Sequence, residues 1–318
     1  MTTIAAPAEA ETALLRLGER LKATGYRFTT VTPASHERVN ARPGNARARS
    51  LTDVLGWSRP FAPGALPDDV VTLLEQAGQL RHDDDGWHSL IRVSSYDDEL
   101  FVHSAFPACA ADAVFFGPDT HRTIDAVLAH LGTVRPPARV AEIGTGSGAV
   151  AIAVAKRVPT AEVIAVDINP AALYYARINA ATAGTPNVTP YESDLLDAVD
   201  GAFDLIVSNP PFMIDPECRP YRDGGGEHGH DLPLRVLGTA MERLAPGGSL
   251  VLLSGTGIVG GRDPLRDAVA ERLGGAGWRW RYREIDPDVY SENLEHAYGH
   301  ADRIALAVLT ATRPEVAA

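Results

Sequence analysis

Along residues 119–318, short apolar runs alternate with amphipathic stretches. RVAEIG (139–144), AEVIAVDI (161–168), VTPYES (188–193), FDLIVSN (203–209), GSLVLLSG (248–255), WRWRYREI (278–285) and RIALAVLTA (303–311) have the length and branched-residue content of strands. Between them, AVAIAVAKRV, PAALYYARINAATA, DLPLRVLGTAMERL and DPLRDAVAERLGGAG repeat their apolar positions at helical spacing. Apolar strands joined by helices predict a mostly parallel sheet covered on both faces, a doubly wound α/β domain of the Rossmann-like kind. Ligands of such sheets sit beyond the carboxyl ends of the strands, near the point where strand order reverses.

Residues 1–118 have a different texture and predict a smaller α+β N-terminal domain. Leu14, Leu15, Leu17 and Leu21 mark one helix, DDVVTLLEQAGQL (68–80) a second, and WHSLIRVSSYDDELFVHS (87–104) two strands around a polar turn. Helix followed by hairpin is a winged-helix-like arrangement. HERVNARPGNARARS (36–50), broken by Pro43 and Gly44, is expected as a solvated loop. Its Arg38, Arg42, Arg47 and Arg49 are the one local cluster of cations, able to clamp a carboxylate or phosphate.

Bulk properties narrow the choice of partners. The longest apolar run, AVAIAVA (149–155), falls far short of the roughly 18 residues a membrane helix needs. The opening MTTIAAPAEAETALL has acids and no basic region before an apolar stretch, so it does not read as a secretory signal, and a cytoplasmic location is expected. Cys109 and Cys218 are too few for a disulfide framework or a cysteine-based zinc site. A net charge of -12 argues against a nucleic-acid binder that works by neutralising phosphates.

The chemistry gathers at strand ends. GTGSG places Gly144, Gly146 and Gly148 after the strand VAEI, where a tight turn brings backbone close to a ligand. Glu142 lies two residues before the first of these glycines, and Asp167 ends the next strand, nineteen residues after Gly148. A carboxylate in Asp167's place can accept from both hydroxyls of a ribose. Asp194 follows the third strand in YESDLLD, and Asn209 leaves the fourth in FDLIVSNPPF. Asn and Pro are also ordinary turn residues, so Asn209 either ends a strand or holds a substrate.

Taken in order, EIGTGSG, VDINPAAL, SD and NPPF resemble the class I S-adenosylmethionine (SAM)-dependent methyltransferases. NPPF followed by DGGGEHGHDLPLRVLGTAMERLAPGGSLVL is most similar to the branch with the release-factor glutamine methyltransferases, over roughly residues 114–310. The resemblance implies that Gly144, Gly146 and Gly148, with Glu142 and Thr145, cradle the methionine portion of SAM. It implies that Asp167 and Ile168 take the ribose side, and Asp194 and Leu195 the adenine. Asn209 and the carbonyl of Pro210 would each accept one hydrogen of a planar NH2 and so aim its lone pair at the methyl carbon. Proline's fixed φ stiffens that pair, and Phe212 stacks on a flat substrate or packs behind it. The acceptor is a small molecule, a protein glutamine or RNA, and residues 1–118 are expected to choose it, since the SAM half serves many chemistries.

Two alternatives stay open. Tyr174 and Tyr175 follow VDINPAAL, and an aromatic face, Tyr175 above all, stabilises a sulfonium by cation–π attraction. Some enzymes on this scaffold use SAM as sole substrate, closing its methionine part into azetidine-2-carboxylate with release of methylthioadenosine. A non-catalytic module that binds SAM or RNA is the other alternative. His228 and His230 with Glu227 and Asp231 have a metal-like spacing but fall in DGGGEHGHD, which reads as a mobile glycine-rich lid, so no metal is expected. His121 and Arg122 either open a surface helix or reach the SAM carboxylate.

Overall fold

A computed structural model describes residues 7–108 and 110–315, so Cys109 and the first six residues of the opening segment lie outside the described residues. Helix α1 (Pro7–Ala23) buries Leu14, Leu17 and Leu21 completely. Each such leucine contributes on the order of 1.5–3 kcal/mol by leaving water. Helix α2 (Pro33–Asn40) corrects the loop expected over 36–50. Thr32 caps it, its Oγ1 accepting from the Ser35 N–H at 3.3 Å, and Pro33 supplies a first-turn φ already set for helix. Arg47 and Arg49 then donate to the carbonyls of Asp85 and Gly44.

Helices α3 (Leu51–Leu55) and α4 (Asp68–Gln76) lead into an antiparallel hairpin of β1 (Leu80–Asp83) and β2 (Gly86–Ser89). A second hairpin joins β3 (Ile91–Tyr96) to β4 (Glu99–Ser104) around Asp97 and Asp98, as the polar turn predicts. The first hairpin was not legible, because RHDDDG lacks apolar alternation.

After α5 (Pro118–Leu131) comes the alternating part: β5 (Arg139–Ile143), α6 (Ala149–Arg157), β6 (Glu162–Asp167), α7 (Pro170–Ala183), β7 (Val188–Glu192) and β8 (Phe203–Ser208). It continues through α8 (Asp231–Arg243), β9 (Leu244–Ile258), α9 (Pro264–Leu273), β10 (Arg279–Asp286), a 3-10 turn at Ser291–Glu295 and β11 (Arg303–Thr312). The seven strands lie in the order β10-β11-β9-β8-β5-β6-β7, with β5 parallel to β6 and β8, and β11 antiparallel to both its neighbours. The mixed α/β fold with a mostly parallel sheet is therefore the one the pattern predicts.

Successive residues of each strand serve opposite cores. Val140, Val163 and Val207 face α5 and α6, whereas Ala141, Ile164 and Ile206 face α8 and α9. A third core joins α1 and the β3–β4 hairpin to Ala172, Tyr175 and Ile178 of α7. The chain steps outward from β5 to β7 and then returns to β8 on β5's other side. The loops after β5 and β8 consequently diverge and leave a crevice at the carboxyl ends.

Candidate active site

The loop after β5 is built for backbone approach. Gly144, Gly146 and Gly148 have φ of 70°, 53° and 79°, a region that favours glycine. A Cβ on Gly144 would meet nothing within 4 Å, so the space beside it is open, whereas one on Gly148 would come within 3.0 Å of Ala176. Gly148 thus lets α6 close on α7, and Gly144 and Gly146 leave a cradle for a ligand. Asn179 holds this loop from behind. Fully buried, it accepts from the Val102 N–H (2.8 Å) and donates to the carbonyls of Val102 (2.9 Å) and Ser147 (2.8 Å). One side chain therefore ties β4 to the glycine loop. Asn179→Leu orphans three backbone groups, and a stability loss of about 1–3 kcal/mol with weaker SAM binding is expected by denaturant titration and calorimetry. Unchanged stability would mean that water replaces the amide.

Glu142 is buried, and its Oε2 accepts from Thr145 Oγ1 at 2.5 Å and the Ala151 N–H at 2.8 Å. Burial nonetheless pushes its carboxyl up to about 8, with the Asp167 charge adding to the effect. Asp167 receives the Gly146 N–H on Oδ2 and the Asn169 N–H on Oδ1, both at 2.9 Å, and burial raises it as well. Each oxygen keeps a lone pair for a further donor. Ile168 beside it is 62% exposed, an unusual position for a large aliphatic side chain and a ready face for a flat ring. Asp194 is half exposed and pairs with Arg235 at 2.9 Å.

Asn209 leaves the end of β8 next to a residue the sequence reading passed over. Its Nδ2 donates to Asp119 Oδ2 at 3.3 Å, and both Asn209 Oδ1 and Asp119 Oδ1 are buried without a hydrogen-bond partner. Asp119 stands at the second residue of α5, 6% exposed, and burial raises its carboxyl. The signal was within VFFGPDTHRT: Gly-Pro starts a helix, and the next residue is a first-turn acid. Its neighbours in that motif behave otherwise. Arg122 pairs with Asp286 at 2.5 Å, His121 packs edge-on against Tyr96 and Phe116, and neither lines the crevice.

Glu142, Gly144, Thr145, Gly146, Asp167, Ile168, Asp194, Leu195, Asn209, Pro210 and Phe212 all line one cleft of about 780 Å³, within the range of small-molecule sites. Phe212 is 5% exposed and lies against Gly255, where a Cβ would come within 2.5 Å of its ring. Tyr175 does not line this cleft, which corrects the expectation of a sulfonium contact. Ala172 reaches the cleft, but one turn later α7 has moved away from the strand ends, and Tyr175 packs in the core shared with α1, its hydroxyl pushed up to about 12 by burial. Tyr174 packs in the same region, under the Arg177 guanidinium.

The segment after Phe212 forms one wall, the roof, of the cleft. Arg219 makes two bonds to Asp215, at 2.7 and 2.6 Å, and Arg222 donates to Asn293 at 2.6 Å. Tyr221 stacks on Phe115 at 6.0 Å and donates to the Ala108 carbonyl at 3.1 Å. The glycines of DGGGEHGHD serve close packing: a Cβ on Gly224 would fall 1.9 Å from the Gly229 carbonyl oxygen, and one on Gly229 2.4 Å from that of Phe212. That gives them a use other than the lid expected from their number. Among the described residues no group of three or more His, Cys, Asp or Glu is placed to hold a metal. No helix among them is long and apolar enough to cross a membrane.

A doubly wound sheet with a glycine cradle at the switch point, an acid ending the next strand and an exposed aliphatic face beside it form a nucleoside-binding site of the kind such sheets carry. Residues 109–258 match the family model of the methyltransferase small domain. The release factor glutamine methyltransferase of Deinococcus radiodurans is 38% identical over 183 residues, 54% of this chain and 61% of that protein. The ribosomal protein uL3 glutamine methyltransferase of Bradyrhizobium diazoefficiens is 38% identical over 131 residues, 37% of this chain and 41% of that one. The chain thus covers less than two thirds of either relative. The crystal structure of the M. jannaschii tRNA m1G37 methyltransferase overlaps 71% of this chain and 58% of its own, at 15% identity and a TM-score of 0.49, a loose likeness from which nothing about substrate follows.

Proposed function

We propose that the protein transfers a methyl group from SAM to the nitrogen of an NH2 group, and that a glutamine side chain of a protein of translation is the acceptor. The observation that carries this reading is Asn209 at the switch point, its amide held by Asp119 in the same cleft as Asp167 and Ile168. Relatives named for glutamine methylation support the choice of acceptor. Bound SAM supplies an electrophilic methyl on a cationic sulfur. The chain's own residues then do the work of position. Gly144 and Gly146 admit the methionine end, Asp167 takes the ribose hydroxyls, Ile168 and Leu195 flank the adenine and Asp194 meets its amino group. Asn209 and the Pro210 carbonyl hold the acceptor's two N–H groups, which leaves its lone pair facing the methyl carbon. Phe212 backs the pair from the core, and the segment 1–118 selects the acceptor at the rim, where Arg38 of α2 lies.

The test is to incubate the purified chain with SAM alone and then with a purified bacterial release factor. Intact SAM in the first mixture and a one-methyl gain on glutamine in the second are expected. Methylthioadenosine from SAM alone would replace the reading with cyclisation, which no feature of the cleft favours now that the tyrosine pair lies in the core. The cofactor side has its own test. Asp167→Ala is expected to weaken SAM binding by about 1–3 kcal/mol, the loss of charge-assisted hydrogen bonds, by isothermal calorimetry. Equal affinity would remove the ribose assignment.

A further inference from the structure

Methylating an NH2 group leaves one proton too many. The nitrogen lone pair forms the N–C bond, the S–C bond breaks with its electrons remaining on sulfur, and the nitrogen then carries a positive charge until a proton departs. A side chain already beside the nitrogen is a better first acceptor for it than solvent, because it is in position when the N–C bond forms.

One carboxyl of the cleft lies against Asn209. Asn209 is the one side chain bonded to Asp119, through Oδ2; the N–H groups of Asp119 and Thr120 at the helix start favour its carboxylate weakly, Oδ1 is buried without a well-formed hydrogen bond, and Asn209 Oδ1 is buried without a partner. Buried acceptor oxygens without partners are costly in a folded protein. A bound NH2 group satisfies Asn209 with one N–H, and its other N–H, held at first by the Pro210 carbonyl, is the one that passes to Asp119 Oδ1 once the nitrogen has become cationic. No other acid of the cleft is bonded to Asn209: Glu142 is engaged with Thr145 and Ala151, Asp167 with Gly146 and Asn169, Asp194 with Arg235 and Glu217 with Arg219, while Glu37 and Glu292 are exposed. We propose that Asp119 is the catalytic proton acceptor of the methyl transfer, taking from the nitrogen the hydrogen that the incoming methyl displaces. The inference rests on the nitrogen reading above and adds to it a residue and a step.

The surroundings suit the task. Burial raises the Asp119 carboxyl, so it holds a proton more firmly than an exposed aspartate. The charged and titratable groups that bear on it or on its neighbour Tyr290 are Arg122 on its own helix, Arg222 from the roof, and Glu292 beside Tyr290. Arg122 and Arg222 are partly neutralised by Asp286 and Asp215, at 2.5 and 3.9 Å.

Asp119→Asn separates proton transfer from position, because an asparagine oxygen still accepts the Asn209 N–H but cannot take a proton. With a purified release factor as acceptor, kcat is expected to fall about 10²–10⁴-fold, the usual worth of a general base. SAM affinity should stay within about twofold of wild type, an order-of-magnitude allowance for a change that leaves the bonds of Gly146 and Asp167 in place. The wild-type loss of kcat at acid pH should vanish in the variant, and Asp119→Glu should recover part of the rate. If Asp119→Asn keeps kcat and the same pH dependence, the proton step is overturned and the nitrogen reading survives. If wild type methylates neither the release factor nor a glutamine-bearing peptide at any pH, the nitrogen reading falls and Asp119's role falls with it.

Discussion

Asn209→Ala is expected to lower turnover by about 10²–10³-fold, the scale on which loss of one preorganised polar contact slows an enzyme, with a much smaller effect on SAM binding. The displacement at a methyl carbon demands a nitrogen lone pair in line with the departing sulfur. Without the Asn209 amide only the Pro210 carbonyl still grips the NH2 group, which can then rotate out of line. The neighbouring prolines cannot compensate, because each lacks an N–H and keeps its φ. Asp119 meanwhile loses its one side-chain partner. Single-turnover kinetics with saturating SAM read the effect directly. Turnover within threefold of wild type would sink the acceptor role and leave Asn209 as a strand terminator.

Glu142→Gln is expected to make the SAM-free protein more stable at alkaline pH, by an amount on the order of a few kcal/mol. Burial lifts the Glu142 carboxyl to about 8 against the two hydrogen bonds that favour its charged form. The folded protein therefore binds this proton more tightly than the unfolded chain does. Its contribution is fully present below the ordinary carboxylate value and is lost as pH rises toward 8. Glutamine keeps an acceptor for Thr145 or Ala151 and never ionises. The variant's advantage over wild type should hence grow between pH 5 and 8 and level off beyond, read from urea midpoints at each pH. Asp119 and Asp167 are also raised by burial, so the difference between the two proteins is the measure, not the wild-type curve. A difference that stays constant with pH would mean that Glu142 is already ionised in the folded protein.

The doubly wound sheet was legible because its strands are covered on both faces and so carry nearly unbroken apolar runs, as AEVIAVD and FDLIVS do. The cleft residues after β5, β6 and β8 were legible because topology, not tertiary detail, brings strand ends together. Local polarity hid the rest. Helix α2 has only eight residues, most of them polar, and its evidence lay in the cap Thr32-Pro33. Asp119 went unread because its meaning depends on a partner ninety positions away. Tyr175 misled for the opposite reason: sequence proximity to the cleft residue Ala172 suggested nearness to the ligand, and the turn of the helix removed it.

The core shared by α1, the β3–β4 hairpin and α7 bears on how the chain can be handled. A protease cut or an expression boundary near residue 118 would strip from α7 the cover over Tyr175 and Ile178, and from Asn179 its Val102 partner. The excised α/β part would then present a sticky apolar helix face beside its cofactor loop, a surface prone to self-association.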